Sequence, residues 1–242
     1  MERKKRSYGE ACRFAYALDL VGERWALLVV RELLLGPKRF TDLRAGLPHA
    51  SPNILSERLR ELERNGIVRR RELPPPAATH VYELTEWGAE LEPIVTKLGA
   101  WGARSPVPPE SQEIGPDSIV LALRSLFDRE AAGDLDATYG LRIGEDDYRV
   151  GIREGELTLD RGPVEDPTAR FEFAEAGLMA AVLSGELPLD EALASGAMKL
   201  EGSKREARFL RLFPMPEPCS PGTDPGRGET SCTFSSSAAG AS

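Results

Sequence analysis

The stretch SPNILSERLRELERNGIVRRREL, residues 51–73, restricts the fold more than any other. It opens on serine followed by proline, a pair that caps a helix and fills its first turn, where an N–H has no intrahelical acceptor. Leu55, Leu59 and Leu62 then recur at helical spacing. The opposite face carries Asn53, Glu57, Arg60 and Arg64 with Ser56 alongside, and is wholly polar. Asn65-Gly66 ends the helix, and a short apolar pair leads directly into Arg69, Arg70 and Arg71. One buried leucine stripe, one polar face and a basic extended run fit a small helical core with a hairpin at its edge.

The flanking segments supply that core. Phe14, Leu18 and Val21 mark one face of a helix ending near Gly22. Trp25 to Leu35 is apolar on nearly every side, as expected of a central helix, and Gly36-Pro37 stops it. Phe40, Leu43 and Leu47 stripe a short helix that Pro48 breaks. After Gly66, IVRRREL and HVYELT are strand-like runs joined by PPPAAT, a hairpin with Pro74, Pro75 and Pro76 at its tip. Thr85 is the cap expected for a last helix striped by Leu91, Ile94, Val95, Leu98 and Trp101. These helices, a two-stranded wing and a closing helix follow the order of a winged helix-turn-helix.

In such a module the second helix of the turn enters the major groove and the wing grips adjacent phosphates or the minor groove. The chain has a net charge of −8, but residues 1–105 hold 18 Lys and Arg against 14 Asp and Glu. Local charge governs the contact, because the Debye length is about 8 Å at physiological salt. Asn53 suits a bidentate contact with adenine, Arg60 one with guanine, and Ser51 and Ser56 suit phosphate or either base. Lys38, Arg39, Pro52, Glu57, Arg69, Arg70, Arg71, Thr79 and His80 complete the expected DNA-facing set. Pattern alone leaves open a surface helix with solvated charges beside a hairpin.

Residues 8–104 also carry G-x-x-W, R-F-x-x-L, L-x-x-R-L-x-x-L-E and Y-x-L-T-x-x-G, and by this combination the segment resembles the HxlR family of winged-helix regulators, related to the MarR group. One departure is Gly22-Glu23-Arg24 before Trp25, where the family often has Gly-Gly-Lys or Gly-Gly-Arg. The resemblance implies a homodimer on a double-stranded operator, with Tyr8 to Leu20 and Glu86 to Trp101 forming the dimer contact. Half-sites then lie about 34 Å apart or a multiple of it. It also marks Cys12 as a redox-sensor candidate, since several members resemble one another in an N-terminal thiol. Lys4, Lys5, Arg6 and Arg13 nearby favour thiolate; the alternative is a small apolar group buried on the dimer face.

The rest of the chain divides by composition. A basic arm over 1–7 precedes the winged module at 8–104. A proline-rich linker spans 105–116. A domain is expected at 117–213 and a Pro, Gly and Ser-rich disordered tail at 214–242. ATYGLRIG, DYRVGIREG, ELTLDRG and ARFEFA read as strands, and EAGLMAAVLSG, PLDEALASG and SKREARFLRLF as helices. Antiparallel strands with helices segregated after them give an α+β class.

This second half lacks histidine, a metal-ligand cluster and a glycine-rich phosphate loop, so neither an enzyme nor a cofactor is expected. Cys12, Cys219 and Cys232 form no disulfide framework, and His49 and His80 no zinc motif. Residues 117–213 resemble the sterol carrier protein family, through leucine, G-x-L, glutamate-alanine, spaced glycines and a final helix. That resemblance implies an apolar cavity, drawn here from Phe171, Phe173, Leu178, Met179, Val182, Leu183, Leu193, Met198 and Phe209. The alternatives are that these fill a core or that the domain serves dimer contacts. No apolar run reaches the roughly 20 residues of a membrane span and no cleavable leader is legible, so a cytoplasmic location without membrane contact is expected. The expected function is transcription regulation, with operator DNA, a second copy of the chain and an apolar effector as partners. The rivals are a lipid or acyl carrier, and a winged helix used for protein contact.

Overall fold

The computed structural model describes residues 7–74, 79–106 and 113–219. The basic arm up to Arg6, the hairpin tip at Pro75 and Pro76, the linker from 107 to 112 and the tail beyond Cys219 lie outside the described residues.

Four helices lead in: α1 (Arg13–Val21), α2 (Ala26–Leu33), α3 (Phe40–Gly46) and α4 (Pro52–Arg64). They are followed by β1 (Val68–Glu72), β2 (His80–Leu84), α5 (Glu86–Ala89) and α6 (Glu92–Ala103). Val29, Val30 and Leu33 of α2 meet Leu43 of α3 and Leu55, Leu59 and Leu62 of α4 in one buried cluster closed by Ile67 and Val68. The leucine stripe of α4 is therefore its attachment, and its other face stays outside. Ser51 caps α4, its Oγ accepting from the Ile54 N–H at 3.4 Å, and Pro52 fills the first turn. The strands pair antiparallel with Arg69 opposite Glu83 and Arg70 opposite Tyr82.

Two expectations for these helices are corrected. In α1 Phe14 does not face inward: it is 72% exposed, Ala15 is the buried residue, and of the expected stripe Val21 packs against the core. The closing helix is two helices. Thr85 Oγ accepts from the Gly88 N–H at 2.9 Å and donates to the Gly66 carbonyl at 2.7 Å, which pins α5 beside the end of α4. Pro93 then sits in the first turn of α6, where its missing N–H costs no hydrogen bond.

The second half begins with α7 (Pro116–Leu126) and α8 (Arg129–Ala132). Three antiparallel strands follow: β3 (Ala137–Ile143), β4 (Asp146–Arg153) and β5 (Glu156–Arg161). Then come β6 (Ala169–Phe173), α9 (Ala176–Ser184), α10 (Leu189–Ser195), β7 (Met198–Glu201) and a 3-10 segment (Lys204–Leu212). The sheet order is β5-β4-β3-β6-β7. A mixed α+β architecture results, with two departures from the sequence expectation. β6 lies parallel to β3, because the chain crosses the β4–β5 hairpin before returning. Met198–Glu201 is a fifth strand, and the last segment winds as 3-10 and not as an α-helix.

Inward residues alternate along the strands, with Tyr139, Leu141 and Ile143 on β3 and Tyr148, Val150 and Ile152 on β4, and they form a second buried cluster. Leu35, just beyond α2, belongs to this second cluster, and α6 packs along α7. Ser125 Oγ donates to the Thr96 carbonyl at 3.1 Å, and Arg124 pairs with Glu92. No helix among the described residues is long and apolar enough to cross a membrane.

Candidate nucleic-acid interface

The core packing of α4 decides what it shows to solvent. Asn53 and Arg60 are exposed, Ser56 and Glu57 are half-buried, and all four lie on one side at helical spacings of three, four and seven. Ser51 and Pro52, also exposed, lie at the helix N-terminus, where unpaired N–H groups give a local positive end. Among the described residues Arg60 forms no ion pair. Arg58, by contrast, is buried and pairs with Glu61 and, at 3.8 Å, with Glu23. It fastens α4 to the loop before α2 and is not part of the outward face.

Sequence reasoning missed two residues here. Ile54 is 40% exposed beside Asn53 at the start of α4, where an apolar side chain suits a thymine methyl group. The exposed stripe of the helix start was read as polar throughout, and only its first turn could have signalled the exception. The second is Glu83. Arg69 Nε lies 2.7 Å and Arg71 Nε 2.9 Å from its two carboxylate oxygens, so the wing's cationic side is partly neutralised. The hydrogen bond from Arg71 holds the Glu83 carboxyl below the usual glutamate range, and the same contact raises the Arg71 guanidinium. Arg70 stands on the other side of β1, exposed and without an ion pair among the described residues.

The remaining wing residues are placed by the hairpin. The Thr79 carbonyl accepts from the Leu73 N–H at 2.8 Å, and His80, exposed, lies opposite Glu72. Arg39 is exposed at the start of α3, its backbone N–H donating to Asp42 at 3.0 Å.

Lys38 is a correction. It was expected to face DNA, but it is buried, and its ammonium sits 2.5 Å from Glu32 and 2.6 Å from Asp117. A buried ammonium needs such partners, so this cation is committed inside the protein.

The apolar set of the second half also falls in the interior. Phe171, Phe173, Met179, Met198 and Phe209 are buried, and Leu178, Val182, Leu183 and Leu193 pack against them. Phe209 touches Tyr139, Phe171 and Phe213 at centroid distances of 4.4, 5.1 and 5.0 Å. These residues fill space against one another, which is the core alternative. Two clefts lie elsewhere. One, of about 390 Å³, opens between the halves beside Lys38 and Asp117; the other, of about 350 Å³, lies between Trp101 and Leu126.

In the single chain Cys12 is exposed at the start of α1. Backbone N–H groups of Ala15 and then Phe14 hold its thiol below the usual cysteine range.

A helical core, a capped helix with an outward polar stripe and a two-stranded arginine wing define a winged helix-turn-helix region in the first half of the chain. Residues 20–108 match the HxlR-like helix-turn-helix family model. The chain is 42% identical over 93 residues to the uncharacterized HTH-type transcriptional regulator YvaP of Bacillus subtilis, covering 38% of this chain and 86% of that relative. It is 41% identical over 85 residues to the HTH-type transcriptional regulator YodB of the same organism, covering 35% of this chain and 76% of that protein. The solved reduced form of YodB aligns at 36% identity and a TM-score of 0.37, over 42% of this chain and all of that one. The chain belongs to the HxlR-like helix-turn-helix family.

Proposed function

We propose that this protein is a sequence-specific DNA-binding transcriptional regulator that acts as a homodimer. One observation carries the reading: Asn53, Ile54, Ser56, Glu57 and Arg60 share an outward stripe at the capped start of a helix whose leucines anchor it to a rigid core. Such a stripe can offer a bidentate amide to adenine, a methyl contact to thymine and a guanidinium to guanine. Arg70, Arg69 and Arg71 on the wing and Arg39 at the start of α3 meet the flanking phosphates. The names of the curated relatives, HTH-type transcriptional regulators, agree with this reading.

Phe14 and Tyr16 of α1 and Ile94, Leu98 and Trp101 of α6 are exposed, and Trp101 is 69% accessible. Large apolar groups at this density on two helices call for a partner surface. A second copy of the chain meets that need and sets two recognition helices about 34 Å apart on successive turns of a duplex.

The second half reads as a sterol-carrier-like module. Supporting this are the strand β6, two helices closed by the left-handed Gly185 and Gly196, the strand β7 and the final helical turns, in the order of the resemblance. An apolar effector would have to open the packing around Phe209, and ring contact there favours a structural role for the domain over carriage.

The test is selection of duplexes from a random pool by the full chain, followed by a salt series on the winner. The proposal expects log affinity to fall linearly with log salt, and Arg70→Ala to flatten the slope by about one unit for the lost phosphate contact. Failure to enrich any sequence would contradict it, and a protein-contact role would leave Asn53→Ala without effect on DNA.

A further inference from the structure

Lys38 ties β2 to the second half of the molecule, its backbone held on the strand and its side chain reaching across. Its N–H donates to the Tyr82 carbonyl at 3.0 Å and its carbonyl accepts from the Tyr82 N–H at 2.8 Å, so it lies as a one-residue third strand along the outer edge of β2. Its ammonium leaves the winged module and reaches Asp117 in the first turn of α7.

Asp117 is in turn held from the sheet, by the Tyr148 hydroxyl at 2.5 Å and by Arg161, whose guanidinium also meets Asp146 at 2.6 Å. Glu32, buried on α2 and paired with Arg31, completes the cluster. Gly46 leaves the room that the Glu32 carboxylate occupies, which a Cβ there would force to shift.

We propose that the buried Lys38–Asp117 ion pair is a latch through which the second domain positions the wing, making Lys38 and Asp117 positioning residues for DNA contact. Withdrawing Asp117 leaves the ammonium buried with half its partners, and the strand edge that Lys38 supports loosens with it. Any displacement of the start of α7 is thereby felt at β2, on the strand opposite the arginines. The DNA consequence rests on the reading of the wing as a phosphate contact; the mechanical one does not.

The experiment compares full-length wild type, Asp117→Asn, Lys38→Met, the double variant and Arg161→Met by amide hydrogen exchange and by affinity for the selected duplex. Exchange at Tyr82 is expected to quicken about tenfold in Asp117→Asn and Lys38→Met, with no further change in the double variant. Duplex affinity falls about fivefold in the same variants, whereas Arg161→Met, which spares the Lys38 contact, changes both much less. Lys38→Arg, which keeps the cation, restores part of each loss.

Unchanged exchange at Tyr82 in a folded Asp117→Asn, or effects that simply add in the double variant, overturns the latch. Should Asp117→Asn not fold, Lys38→Met answers the same question, since Glu32 keeps Arg31 and Asp117 keeps Arg161 and Tyr148. The exchange measurement needs no DNA, so a chain that binds no duplex would end the functional reading while leaving the latch to stand or fall on exchange alone.

Discussion

If the wing contacts phosphate as proposed, Glu83 sets how much of its charge a duplex would meet. With its carboxylate between Arg69 and Arg71, only Arg70 among the three arginines presents an undivided charge. Glu83→Gln is therefore expected to raise duplex affinity about threefold to tenfold and steepen the salt dependence, as two more cations turn to phosphate. Stability should change by no more than about 1 kcal/mol, because the arginines are exposed. Parallel fluorescence titrations and thermal melts check both, and an unchanged or weaker affinity would contradict the arrangement. Mild acid does not substitute for the mutation. The folded Glu83 carboxyl is depressed, so its pairing stabilises the hairpin above the ordinary glutamate range and is lost only as pH falls through the lower folded value. Alternation along IVRRREL places Arg69 and Arg71 on one side, but it does not show what faces them. That depends on the register between β1 and β2, which the local pattern leaves free. Lys38 was misplaced for a related reason: its partner Asp117 is 79 positions away in the chain, beyond any periodicity.

At the scale of elements, α6 shows why a helical stripe can be located from sequence and still be misassigned. Its apolar residues occupy two sides. Val95 and, just before the helix, Leu91 pack on the first core, whereas Ile94, Leu98 and Trp101 point outward. Spacing alone reports an amphipathic helix and does not separate a face that closes a core from one that waits for a partner. The same holds for α1, where Ala15 takes the inward position that Phe14 was expected to hold. By contrast α4 was legible almost to the residue, because Ser51-Pro52 and Asn65-Gly66 fix its ends and its leucine stripe has only one side. If α1 and α6 build the dimer, Trp101→Glu places a charge at the centre of the contact. It should weaken self-association by about a hundredfold, with little loss of monomer stability since the side chain is exposed. Light scattering across a concentration series reads this directly, and an unaltered mass would rule that face out.

At the scale of the whole molecule, charge and composition separate a basic front from an acidic back, and the strands β3 to β6 were legible as alternating runs. The parallel β3–β6 pairing was not, since a crossover is invisible to local alternation. Nor was the role of the aromatic residues. Phe171 and Phe209 have the composition of a pocket lining and the contacts of a core. Nothing in the sequence foretold that Leu35, Lys38 and α6 would carry the second half directly on the first. The resulting molecule presents α4 and its wing on a core that the second half packs against, and the account stands on what α4 does there. The most direct test measures affinity of wild type and Asn53→Ala for the selected duplex and for a scrambled duplex of equal length at one salt concentration. The account predicts that the variant loses about tenfold to a hundredfold on the selected sequence, and almost nothing on the scrambled one. An equal loss on both, or none on either, would contradict it.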